Sequence, residues 1–156
     1  MCYDKFIEDS VAFDNAPYYG RFNIDHIIFR GMNMKAVKIQ TQDGKTLAGL
    51  LFEPDGGAKA ACLVSGATGV PKEFYVKFAE WLAYERGVAC LLYDYRGFGE
   101  SCNGPMKDQD ATMADWGIKD QSAALDFLID RYPQTDIWTI GHSLGGLFMH
   151  ALDQSD

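Results

Sequence analysis

Apolar and polar positions alternate first and then cluster along this chain. From Met34 to Pro54, "MKAVKIQTQDGKTLAGLLFEP" places Val37, Ile39 and Thr41 on one face of a strand, offers Asp43-Gly44 as a turn, and runs back from Leu47 to Phe52. That spacing predicts a β-hairpin. Pro54 and Gly56-Gly57 close the unit. Three short continuous apolar runs follow, "AACLVSG", "GVACLLYD" and "DIWTIG", of the kind buried on both faces of a parallel sheet.

Two longer segments separate these runs. "VPKEFYVKFAEWLAYERG" carries Phe74, Phe78 and Leu82 at four-residue spacing between Pro71 and Gly87, which predicts a helix with those three residues on one stripe. "TMADWGIKDQSAALDFLIDRYP" predicts a second helix, with Ile118, Leu125 and Ile129 on one face and Pro133 ending it. The whole pattern predicts an α/β class: a mostly parallel sheet with helices on both faces and an N-terminal antiparallel hairpin at the edge. Trp81, Trp116 and Trp138 are read as core. Residues 1–33 keep neither period, although Phe6, Phe13, Tyr18, Tyr19, Phe22 and Ile27 to Phe29 are apolar. They are read as an N-terminal extension, and the domain as residues 34–156.

Composition narrows the function mainly by exclusion. A length of 156 residues allows one domain or part of one. A net charge of -8, from 14 basic and 22 acidic residues without a basic cluster, argues against nucleic acid and anionic lipid as partners. The opening "MCYDKFIEDSVAFDN" has no secretory pattern, and no apolar stretch is long enough for a membrane span, so a cytoplasmic protein is expected. Cys2, Cys62, Cys90 and Cys102 lack C-x-x-C spacing and histidine neighbours, and are read as structural rather than metal-binding. "GATGVP" has neither the spacing nor the lysine of a phosphate loop. No metal and no cofactor are expected.

The candidate chemistry lies near the end. Gly141-His142-Ser143-Leu144-Gly145 follows the apolar run "IWTI" and opens the helix-prone "LGGLFMHAL". A strand reversing directly into a helix holds a serine at a strained backbone angle, and the residues two before and two after must be small. Gly141 and Gly145 meet that need. The helix start aims its free N–H groups at the place where an oxyanion would form.

Together "GATGV", "YDYRGFGES", "DWGIKDQSAALDFL" and "IGHSLGG", spread over residues from about 35 to 150, resemble the N-terminal half of an α/β-hydrolase. The resemblance is to predicted α/β-hydrolases related to serine aminopeptidase-like and monoacylglycerol-lipase-like enzymes. It implies that Ser143 is a nucleophile forming an acyl-enzyme with an ester, thioester or amide of a small acyl substrate. It implies oxyanion donors at Leu144 and at Ala67, with Thr68 able to share the second role; Ser65-Gly66 stands here where many relatives carry His-Gly. Asp94, Arg96, Gly97 and Gly99 match a turn that shapes the fold and does not act on substrate.

In this fold the triad runs serine, acid, histidine. Only thirteen residues follow Ser143, with Asp153, Asp156 and His150 among them. His150 would lie about 10 Å up the helix that Ser143 begins, too far to act as base. His142 is expected to pack or to bond the backbone, and His26 lies in the leader. The resemblance implies about three further strands with their helices and a lid. The chain is therefore expected to be the front half of a hydrolase whose acid and histidine lie elsewhere, with "DIWTIG" an apolar edge open to self-association or to a complementing chain. Two readings follow: a serine hydrolase active as the complete protein, or a non-catalytic half that needs a partner.

Overall fold

Five strands make one sheet in the order β1-β2-β4-β3-β5: β1 (Asn33–Gln40), β2 (Thr46–Glu53), β3 (Ala60–Ser65), β4 (Val88–Tyr93) and β5 (Ile137–Gly141). The computed structural model describes residues 33–102, 104 and 110–149. The readings of the leader, Cys2, His26, His150, Asp153 and Asp156 lie outside the described residues. The hairpin β1-β2 is antiparallel, with Gly44 at φ 81° in its turn. β2 joins β4 antiparallel, while β4-β3 and β3-β5 are parallel. This is the expected mixed sheet.

Every residue of β3 and β4 is buried, because helices cover both faces. On one face Leu63, Leu91 and Tyr93 pack with Ile39, Leu47 and Leu51 under α2 (Gln121–Arg131). On the other, Phe52, Cys62, Val64, Cys90 and Leu92 pack under α1 (Val76–Arg86). Cys62 and Cys90 are thus core residues, as their apolar settings suggest.

The helices bury different faces from the ones their bulkiest residues mark. Phe74 is 53% exposed and Phe78 37%, and only Leu82 of that expected stripe is buried. Phe74 belongs to a 3₁₀ turn, Lys72–Tyr75, so it is out of phase with α1, whose inner face is Val76, Ala79, Leu82 and Ala83. Alanines let the helix backbone approach the sheet, while Phe78 stacks outside on Trp81. Likewise Ile118 and Ile129 are exposed, and Ala123, Ala124, Leu125 and Leu128 face inward. Ile118 lies in a π-helical turn, Asp115–Asp120, whose wider i→i+5 pairing shifts its phase relative to α2. The tryptophan reading is also corrected. Trp81 and Trp138 are exposed, and Trp116 is half-buried, its Nε1–H donating to the Arg96 carbonyl at 3.1 Å.

Glu53, at the end of β2, ties the hairpin to the end of α2 by accepting from Lys35, Arg131 and the Tyr132 hydroxyl. Burial pushes its carboxyl up from 4.5, but the bonds from Lys35, Tyr132 and Arg131 outweigh that and hold it at about 2. The folded-state value lies below the unfolded one. These contacts therefore add stability above pH 4.5, and that stability is lost as pH falls through about 2. Urea unfolding across this window should show a shallower pH dependence for Glu53→Gln than for the parent. An identical slope would mean the contacts carry no net stability.

β5 is an edge, paired only with β3 among the described residues. Trp138 and Ile140 stand opposite Cys62 and Val64 in register, so they point to the α1 side, where α1 itself lies over β2 and β4. Both are exposed. No helix of the described residues is long and apolar enough to cross a membrane.

Candidate active site

The loops leaving the carboxyl ends of β3, β4 and β5 meet at one margin of the sheet, the usual position for a site in an open α/β fold. At the end of β5 the chain turns directly into α3 (Leu144–Leu147). Ser143 sits at the bend with φ 54° and ψ -114° and is the one non-glycine residue with positive φ among the described residues. Such a conformation costs about 1–3 kcal/mol and persists only where the surroundings impose it. Here they do. A Cβ on Gly141 would lie 2.3 Å from the Gly146 nitrogen, and one on Gly145 would lie 2.2 Å from the Ser65 oxygen. His142 N–H donates to the Ser65 carbonyl at 2.9 Å, and Gln121 Nε2 donates to the Gly145 carbonyl at 3.1 Å. The bend is thus clamped between β3 and α2, leaving Ser143 exposed and Leu144 buried. The Leu144 N–H has no backbone acceptor among the described residues.

Across from the bend lies the loop after β3. Ala67 is buried and Thr68 exposed. The Ala67 N–H is engaged, donating to the Tyr75 hydroxyl at 3.0 Å. That hydroxyl also bonds His142 Nδ1 at 2.9 Å, so one phenol joins the two sides of the site. His142 therefore uses its ring toward Tyr75 and its backbone toward Ser65. Gly66 leaves room for the phenol, since a Cβ there would come within 3.0 Å of Tyr75 Cε2. The Ser65 hydroxyl bonds the Tyr93 hydroxyl, and Tyr95 donates to the Gly66 carbonyl, fixing the loop from below.

The turn after β4 is held by its own charges. Asp94 accepts from Lys72 N–H at 2.9 Å, Lys72 Nζ at 2.8 Å and Glu100 N–H at 3.1 Å. Its carboxyl is raised by burial, with Lys72 opposing. Lys72 Nζ also meets Glu73 at 2.7 Å and Glu100 at 2.6 Å. Burial alone would lower the Lys72 pKa, but these carboxylates outweigh it and raise it, so the ammonium stays charged. The oxygens of Glu73, Asp94 and Glu100 lie within 4.8 Å of one another, and the Lys72 ammonium bonds all three. Arg96 is spent on Asp43 and Asp120. Gly97 and Gly99 take φ 81° and 46°, and a Cβ on Gly99 would overlap the Asp94 carboxylate. Asp94 and Arg96 are therefore engaged by partners within the turn and the elements packed on it, and Gly97 and Gly99 give the turn its backbone path. The sequence gives no local signal for Tyr75 or Lys72.

The sequence profile described as Serine aminopeptidase, S33 matches residues 57–154, more than half of the chain. The chain belongs to this family. Its sheet and flanking helices are those of an α/β-hydrolase, and the matched stretch of the family holds every candidate residue from Ala67 to Gly145. An esterase of Pyrococcus furiosus, Pf2001, superposes with a TM-score of 0.62 at 26% identity over 75% of this chain and 45% of that one. The α/β hydrolase GrgF from Penicillium sp. sh18 superposes with a TM-score of 0.60 at 26% identity, over 79% of this chain and 42% of its own. By sequence, the polyketide transferase grgF of Penicillium sp. is 41% identical over 76 residues, 48% of this chain and 25% of the relative. The polyketide transferase claH of Penicillium crustosum is 31% identical over 112 residues, 70% of this chain and 35% of the relative. The chain thus spans less than half the length of each of these proteins.

Proposed function

We propose that this chain carries the nucleophile and the oxyanion-binding side of a serine hydrolase that acts on an ester, thioester or amide of a small acyl substrate. The observation that carries the reading is Ser143: exposed, at positive φ, between two glycines whose approach to neighbouring backbone admits no side chain. Its Oγ would attack the carbonyl carbon, its proton would pass to a base, and the leaving group would depart from the resulting acyl-enzyme. Leu144 N–H and the loop around Ala67, with Thr68 beside it, face the charge that develops on the carbonyl oxygen. His142 is the only histidine among the described residues, and its Nδ1 is bound to Tyr75. The base and its acid are therefore assigned outside the described residues.

Release of the acyl group to water gives hydrolysis, and release to another nucleophile gives transfer. The similarity to an esterase and to two polyketide transferases supports an acyl-enzyme common to both. The neighbouring thiols of Cys62 and Cys90 favour a reducing, cytoplasmic setting. A second reading, a half-domain that needs a complementing chain or a second copy, is favoured by the edge that β5 leaves open among the described residues and by the exposure of Trp138 and Ile140. Fluorophosphonate labelling with mass mapping separates the two. The complete protein is expected to carry one label, on Ser143, and labelling elsewhere or nowhere refutes the hydrolase reading. Label on Ser143 of these 156 residues alone would refute the half-domain reading.

A further inference from the structure

We propose that the Tyr75 hydroxyl, rather than the Ala67 amide, is the group on the β3 side that donates directly to the substrate oxyanion, opposite Leu144 N–H. This rests on the hydrolase reading above. The Ala67 nitrogen is 3.0 Å from Tyr75 Oη, the separation at which an oxyanion donor would meet its oxygen. An acyl oxygen can take that amide only if the phenol leaves.

The ring is not placed to leave. It fills the space that a side chain at Gly66 would need, meets Phe74 edge-on at 5.1 Å, and packs against the core under α1. Its 3₁₀ turn is anchored where Lys72 joins Asp94. The motion that displaces no heavy atom is rotation of the hydroxyl proton.

An amide N–H can only donate, so Tyr75 Oη accepts from Ala67 and keeps its own proton to donate; in the Nε2–H tautomer of His142 that proton goes to Nδ1 at 2.9 Å. Burial holds the phenol pKa above its ordinary 10, with the Ala67 bond opposing, so the proton is present at neutral pH. A developing negative oxygen is a stronger acceptor than a neutral imidazole, since charge-assisted bonds are about twice as strong as neutral ones. The O–H therefore turns from His142 to the substrate as charge appears. Ala67 acts through Tyr75 by polarising its O–H. No bond at Tyr75 is made or broken: the carbonyl electron pair moves to oxygen, and the serine proton goes to the base.

The test uses the complete protein, with Ser143-dependent labelling established first. Absence of that label removes the hydrolase reading and this inference with it. Where the label forms, Tyr75→Phe keeps the ring and removes the hydroxyl. It is expected to lower kcat for an activated ester about 100-fold with KM little changed. Affinity for a trifluoromethyl ketone, whose hemiketal carries the oxyanion, should fall by a similar factor. A kcat equal to or above the parent's would show the hydroxyl to be only a plug on Ala67, and a rise in KM alone would assign it to ground-state binding; either overturns the proposal. Phe74→Leu alters packing on the same ring and leaves the hydroxyl, so it is expected to retain the parent kcat. An equal loss in that variant would make the effect one of packing and overturn the proposal too.

Discussion

Ser143→Ala is expected to abolish fluorophosphonate labelling of the complete protein and to slow ester cleavage by about 10⁴-fold or more, the scale seen when a serine nucleophile is removed. Folding should hardly change. The side chain is exposed and its hydroxyl makes no hydrogen bond among the described residues, so alanine removes no contact. Ser143→Gly should be equally inactive yet unfold at a higher temperature than Ser143→Ala, because glycine adopts φ 54° without the strain that a Cβ imposes. Thermal unfolding of the pair thus separates backbone strain from reactivity. Equal midpoints would show that the bend stores no strain, and residual labelling in the alanine variant would move the nucleophile elsewhere.

Lys72→Met is expected to cost about 4 kcal/mol at neutral pH, within the range for breaking a buried ion pair by removing one partner. Lys72 is 1% exposed and meets three carboxylates, of which Asp94 is equally buried. Without the ammonium, Asp94 keeps its two backbone donors but faces Glu73 and Glu100 with nothing to balance them. Burial already raises the Asp94 pKa, and losing Lys72 would raise it further. A carboxyl whose folded-state pKa lies above its unfolded one destabilises at high pH and ceases to do so once protonated. The deficit should therefore shrink as pH is lowered from neutral, which urea unfolding at two pH values would show. An equal deficit at both would mean that packing, not charge, is lost. Adding Asp94→Asn should recover part of the stability, since the pair is coupled.

The sheet is legible in the sequence because strand rhythm maps directly onto faces. Val37 and Ile39 alternate toward the core, and β3 and β4 read as continuous apolar runs because helices cover them on both sides. Helix phase is not legible from bulk. Phe74, Phe78, Ile118 and Ile129 are the conspicuous apolar residues, yet the faces that approach the sheet are rich in alanine, and the 3₁₀ and π turns ahead of α1 and α2 reset the register. The site divides in the same way. Ser143, Gly141 and Gly145 are readable because the steric demand of the bend falls within two residues. Tyr75 reaches back eight positions to Ala67 and forward 67 to His142, and Lys72 reaches 22 to Asp94, so their roles exist only after folding.

The two margins of the sheet are unequal in charge. β1 carries exposed Lys35 and Lys38, one on each face, and lysines on an edge discourage the approach of another strand. β5 carries no charged residue between Ile137 and Gly141. Lateral growth is thus guarded at one end and permitted at the other, and the permitted end is the one that delivers Ser143. Whatever lengthens this sheet beside β5 will run along the strand that leads into the bend at Ser143.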